Sequence, residues 1–149
     1  MPPNQTTPPN TAPKHLWIVG VIALLWNAVG AFDYLMTETR NEAYMSRFTP
    51  EQLAYFYGFP AWAVGAWAIA VWGAVLGSVL LLLRKRLAVP VFAVSLVAMI
   101  VTTIYNYGLS DGWRIAGGAG PLVFSVLIFA VAVALLLYAR AMARRGVLR

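Results

Sequence analysis

Four long apolar runs, residues 16–36, 61–83, 88–107 and 121–138, decide most of what this chain can become. A helix rises about 1.5 Å per residue, so roughly 20 residues cross the hydrocarbon core of a bilayer, about 30 Å thick. Each run has that length. In lipid the backbone must satisfy its own hydrogen bonds, and runs this long do so as helices. Barrel strands would be about 10 residues long and would alternate apolar with polar, which these do not. The sequence therefore predicts an all-α, polytopic membrane protein with four transmembrane helices. Composition agrees: 61% of residues are hydrophobic and 11% charged, against about 25% charged in soluble domains.

The charges predict an orientation. One side of the predicted bundle receives Lys14, Arg84, Lys85, Arg86, Arg140, Arg144, Arg145 and Arg149 and no acid. The other receives Arg40, Arg47 and Arg114 together with Asp33, Glu38, Glu42, Glu51 and Asp111. The basic side is expected to be cytoplasmic, with both termini inside. The net charge of +6 thus reads as a topology signal and a contact for anionic lipid rather than a nucleic-acid surface. A single fixed orientation also argues against small multidrug carriers that insert both ways, as does the position of Asp33 near the external end of its helix.

The connecting segments carry their own signals. Residues 1–13 hold five of the nine prolines, among Asn, Gln and Thr, and read as a disordered tail ahead of a 14–149 transmembrane domain. They lack the basic start and cleavage site of a secretory signal. Thr49, Pro50 and Gln52 have the spacing of a helix start, with Thr at the N-cap and Pro in the first turn. A helix from residue 50 to residue 83 would be about 50 Å long, too long for one crossing. A short external helix, Pro50–Tyr57, with a break near Gly58, Phe59 and Pro60 is the expectation. Gly117, Gly118, Ala119 and Gly120 read as a flexible turn before Pro121 opens the fourth helix.

Chemistry-bearing residues are few. There are no cysteines, so disulfides, thiol nucleophiles and iron–sulfur ligation are excluded. The one histidine, His15, leaves no His-rich metal site and no serine–histidine pair. No catalytic residues, metal or cofactor are expected, and the chain reads as a non-enzyme. The first helix places Gly20, Ala23, Asn27, Gly30, Ala31 and Tyr34 on one face. Asn27 sits mid-span, either as interhelical glue or as a functional polar group. Trp72 lies at similar depth in the second helix, and the two are expected to meet. Gly73 and Gly77 form a GxxxG, which predicts close packing within the bundle or a homo-oligomer. Asp33 is expected at the external boundary, wet or paired with Arg40, Arg47 or Arg114. On the same side, Tyr34, Arg40, Tyr105 and Asn106 join aromatic and polar groups that suit a small polar ligand or a partner protein. The candidate solute-binding or packing residues are therefore Asn27, Asp33, Tyr34, Arg40, Trp72, Tyr105 and Asn106.

The strings LLWNAVGAFDY (24–34), TRNEAY (39–44), FTPEQLAYFYGFPAW (48–62), VWGAVLGS (71–78) and YNYGLSDG (105–112) resemble a family of small four-helix bacterial inner-membrane proteins, commonly labelled sugar transporter or left uncharacterised. The resemblance implies the four-helix layout, the inner membrane, and binding or transport of a small polar solute such as a sugar. It carries no residue roles. The alternative expectation is a non-catalytic accessory subunit of a larger membrane complex.

Overall fold

The computed structural model describes residues 12–116 and 119–149. The described residues are helical, with no strand among them. In order they form α1 (Lys14–Glu38), α2 (Glu42–Met45), α3 (Pro50–Tyr57), α4 (Ala61–Leu82), α5 (Ala88–Ile104), a π-helical turn (Tyr105–Leu109), α6 (Gly112–Ala116) and α7 (Ala119–Arg144). Four stretches are long and apolar enough to cross a membrane: α1, α4, α5 with its π turn, and α7. The proline-rich tail, apart from Ala12 and Pro13, and the Gly117–Gly118 turn lie outside the described residues. Ala119 and Gly120 already belong to α7.

α4 sits between α1 and α5, and α5 packs on α7. Trp26 against Phe124, 6.1 Å between ring centroids, and a 2.6 Å hydrogen bond between His15 Nδ1 and the Tyr138 hydroxyl bring α7 back to α1. Outward faces carry exposed Ile22, Val29, Val97 and Val123, a surface suited to lipid rather than water. α7 buries least: 11% of its most apolar stretch, against 17–22% in the other three. Lipid exposure of the fourth helix was the expectation from its almost wholly apolar sequence.

Small residues set the packing distances. Gly20 lies against Leu82, and Ala23 and Ala31 are buried. Gly73 and Gly77 face α5 of the same chain: a Cβ at Gly77 would come within 2.6 Å of the Phe92 ring, and one at Gly73 within 3.1 Å of Ser95 Cβ. The Ser95 hydroxyl crosses to the carbonyl of Ala70 at 2.6 Å. The GxxxG is thus filled within the bundle, and a homo-oligomer would have to use another surface.

Helix ends follow the chain's local chemistry. Thr49 and Gln52 close a reciprocal capping box on α3, with Pro50 in the first turn, as the spacing predicts. Three C-termini share the Schellman pattern, in which the chain turns through a left-handed residue and two backbone N–H groups reach back to free carbonyls. Asn41 N donates to Met36 O and Arg40 N to Thr37 O; Lys85 N to Leu80 O and Arg84 N to Leu81 O; Val147 N to Met142 O and Gly146 N to Ala143 O. The turning residues Arg40, Arg84 and Gly146 have φ of 52°, 58° and 74°. Glycine occupies such a position without steric cost, whereas an arginine costs about 1 kcal/mol.

The basic end is closed by apolar packing. Leu16, Leu81, Phe92, Met142, Val147 and Leu148 belong to one buried cluster. Residues after α7 fold beneath the helices, and Arg149 N donates to Arg84 O at 2.8 Å while Arg86 N donates to Arg149 O at 3.1 Å. The Arg84 Nε–H holds Val147 O at 3.1 Å.

Candidate functional site

At the acidic end the helices do not close on each other. A cavity of about 200 Å³ lies between them. Asp33 and Thr37, one turn apart on α1, supply one wall, and Thr102 and Asn106, one turn apart across the α5–π junction, supply another. Trp67 enters from α4, and Phe48, Phe56 and Phe59 enter from the segment joining α2, α3 and α4. That segment is held in place by local structure: the Thr49 cap starts α3, and Pro60 stands at the N-cap of α4.

Its polar groups are interlocked. The Tyr44 hydroxyl donates to Asp33 Oδ1. Burial first, and then the neighbouring carboxylate, pushes the Tyr44 hydroxyl above its ordinary pKa, while Arg47 pulls it partly back. Tyr44 therefore stays a proton donor to Asp33 through the neutral range. The Asn106 Nδ2–H donates to Thr102 O at 3.0 Å, and Asn106 Oδ1 accepts from the Tyr55 hydroxyl at 2.6 Å. Tyr55 also meets Ser110 Oγ at 2.8 Å, which ties α3 to the end of the third crossing. Burial raises the Tyr55 hydroxyl pKa as well, with the Ser110 bond opposing.

The aromatic rings meet edge to face. Phe48 stands on Phe56 with centroids 5.1 Å apart, Tyr34 on Trp67 at 4.9 Å, and Tyr105 against Phe59 at 4.9 Å. A wider depression of about 520 Å³ lies on the outer side of α3, bordered by Glu51, Asp111 and Arg114. It is open, and its ion pairs join side chains 62–71% exposed. Exposed pairs of this kind hold little energy, so the less open cavity between the helices is the stronger site.

Sequence reasoning placed Asp33 and Asn106 correctly at this end, and both line the cavity. Tyr34 and Tyr105 stand behind its walls, on Trp67 and Phe59. Arg40 does not join it: it is the left-handed residue that ends α1, and its guanidinium lies 4.2 Å from the Tyr57 ring centroid. Asp33, expected to be wet or paired with an arginine, accepts from Tyr44. Arg114 binds Glu51 at 2.7 Å and Asp111 at 3.4 Å, while Arg47 lies over the Tyr44 and Phe48 rings.

Asn27 and Trp72 do not meet. Asn27 Nδ2 donates to Ser78 Oγ at 2.9 Å and to Ala74 O at 3.3 Å. Trp72 is 41% exposed on the outward face of α4. Equal depth does not fix direction: two residues along a helix turn by about 200°, so Trp72 points away from the face that Ala74 shares with Ser78. Asn27 is also six residues, about 9 Å, from Asp33, and it acts as glue between α1 and α4.

Thr37, Phe48, Phe56 and Phe59 belong to the aromatic and polar groups that the sequence puts at this end, without being singled out; Trp67 and Thr102 were missed. Two signals were available. Thr37 follows Asp33, and Asn106 follows Thr102, by one turn. Trp67 continues the small-residue stripe of Ala70, Ala74 and Ser78 at steps of three and four.

No family model, curated protein or solved structure matches this chain. Among the described residues, no group of three His, Asp or Glu side chains converges on a common point. What the site offers chemically is one carboxylate, a few hydroxyl and amide groups, and four aromatic walls.

Proposed function

We propose that this is a multi-pass protein of the bacterial inner membrane, non-catalytic, that binds a small polar solute in the cavity at its acidic end. The carrying observation is that cavity: a half-open recess with aromatic walls and convergent polar groups, the usual composition of a small-molecule site. The sequence resemblance suggests a sugar as one such solute and transport as one use of binding. The concentration of basic residues at the opposite end supports an orientation with both termini cytoplasmic and the cavity opening outward. Because the chain contains no cysteine, single cysteines at Asn41 and Lys85 test this directly. An impermeant maleimide added to intact spheroplasts is expected to label Asn41→Cys and not Lys85→Cys, and the reverse pattern sinks the orientation.

Binding is tested on the purified chain with a panel of sugars, polyols, amino acids and amines, read as a shift in melting temperature. At least one class is expected to stabilise the protein, with the shift lost in Asp33→Asn and kept in Asn27→Leu, which lies outside the cavity. A flat response across the panel would remove the solute-binding reading. A stoichiometric partner on native purification, with that flat response, would favour an accessory subunit instead.

A further inference from the structure

We propose that the cavity selects a small organic ammonium ion, seated on the Asp33 carboxylate inside the walls of Phe48, Phe56, Phe59 and Trp67. This rests on the solute-binding reading and narrows it to a ligand class. Charge is the first argument. Among the described residues, Asp33 is the only charged one lining the cavity. Of the neighbouring cations, Arg40 lies over Tyr57, outside the cavity, while Arg47 lies over Tyr44 and over the wall ring Phe48, 4.2 and 4.9 Å from the centroids. Rings at this end of the bundle thus already receive guanidinium groups on their faces, the geometry of cation–π attraction.

Hydrogen-bond capacity is the second argument. The Thr102 hydroxyl donates to Ala98 O at 2.9 Å, and the Asn106 amide N–H donates to Thr102 O. Asn106 Oδ1 accepts from Tyr55, and Tyr44 donates to only one oxygen of Asp33. Acceptors remain for a ligand, chiefly Asp33 Oδ2 and a lone pair of Thr102 Oγ, and an ammonium ion needs acceptors and ring faces.

Ring geometry is the third. Sugars stack on one flat ring. Here Phe48 and Phe56 are inclined at 81°, and Phe59 and Trp67 at 50° with centroids 6.1 Å apart. Steeply inclined rings make corners, as in aromatic cages for quaternary ammonium groups. The volume of about 200 Å³ lies below the roughly 300–1,000 Å³ of sites for drug-sized molecules, so the ligand is a compact head group.

The test is calorimetric titration of the detergent-purified full chain with choline, its uncharged carbon analogue neohexyl alcohol, and glucose. Choline is expected to bind about tenfold or more tighter than the alcohol, with glucose silent. Asp33→Asn, which keeps an acceptor for Tyr44, is expected to erase the difference, and Trp67→Leu to weaken choline several-fold. Equal affinity for choline and the alcohol, or binding of glucose without choline, overturns the ammonium assignment and leaves the solute-binding reading standing. Silence toward all three, with a flat response to the wider panel, overturns both. If Asp33→Asn fails to fold, the ratio of choline to alcohol on the unaltered chain still decides.

Discussion

The two ends of this bundle are built on the same four helices and closed by opposite means. At the basic end, side chains of modest size fill the interior, and the residues after α7 turn under the helices and bond to the α4–α5 link. At the acidic end, the links between helices carry large rings and hydroxyls, which brace one another and leave a cavity. The contrast separates two tasks. Dense apolar packing supplies stability, whereas a binding site needs unfilled space and polar groups held ready. Stability is rarely uniform across a fold, and functional regions tend to lie in its less densely packed parts.

This comparison is breakable at either end. The largest effect is expected from Leu148→Ala, which removes a side chain only 1% exposed. It should cost about 3 kcal/mol, measured by denaturation in mixed micelles followed by circular dichroism. A negligible cost would mean that the segment after α7 does not seal the basic end. Two glycines on α4 give the next test. Gly77→Ala forces a Cβ into the Phe92 ring and should cost about 2 kcal/mol. Gly65, toward the acidic end, has nothing within 4 Å of an added Cβ, so Gly65→Ala should stabilise by up to about 1 kcal/mol through helix propensity. Equal effects at both sites would erase the difference in packing.

The left-handed arginines come third. Arg40→Gly relieves backbone strain but gives up the contact with Tyr57, and is expected to raise stability by about 0.5 kcal/mol. Arg84→Gly should gain less, because it also loses the hydrogen bond to Val147 O. Smallest is a pH effect at the acidic end. Tyr44 has its hydroxyl pKa raised above the ordinary 10.0. Its contribution is fully present below the unfolded value and is lost as pH rises through the higher folded value. Melting curves should therefore show a loss of stability above about pH 10 that is reduced in Tyr44→Phe.

Much of the architecture was legible because membrane helices announce themselves by length. The α3 start was legible because Thr49, Pro50 and Gln52 are a local code. Asp33 and Asn106 stood out as polar residues among apolar ones. The aromatic walls did not, since rings near a membrane boundary are ordinary and their sequence positions do not say which ones turn inward. The proposed meeting of Asn27 with Trp72 failed for a related reason: depth follows from counting residues, but azimuth depends on which neighbour a helix chooses. Arg40 resembled a ligand-binding charge because its left-handed backbone has no sequence mark when glycine is absent.

The π-helical turn at Tyr105–Leu109 has a consequence for any attempt to map the third crossing. A π turn bonds five residues back instead of four, so it inserts one residue into the helical count. The Ser110 hydroxyl holds its first carbonyl, that of Tyr105, at 2.7 Å. A residue-by-residue labelling scan of this crossing should keep a period of about 3.6 residues as far as Ile104 and then fall out of phase.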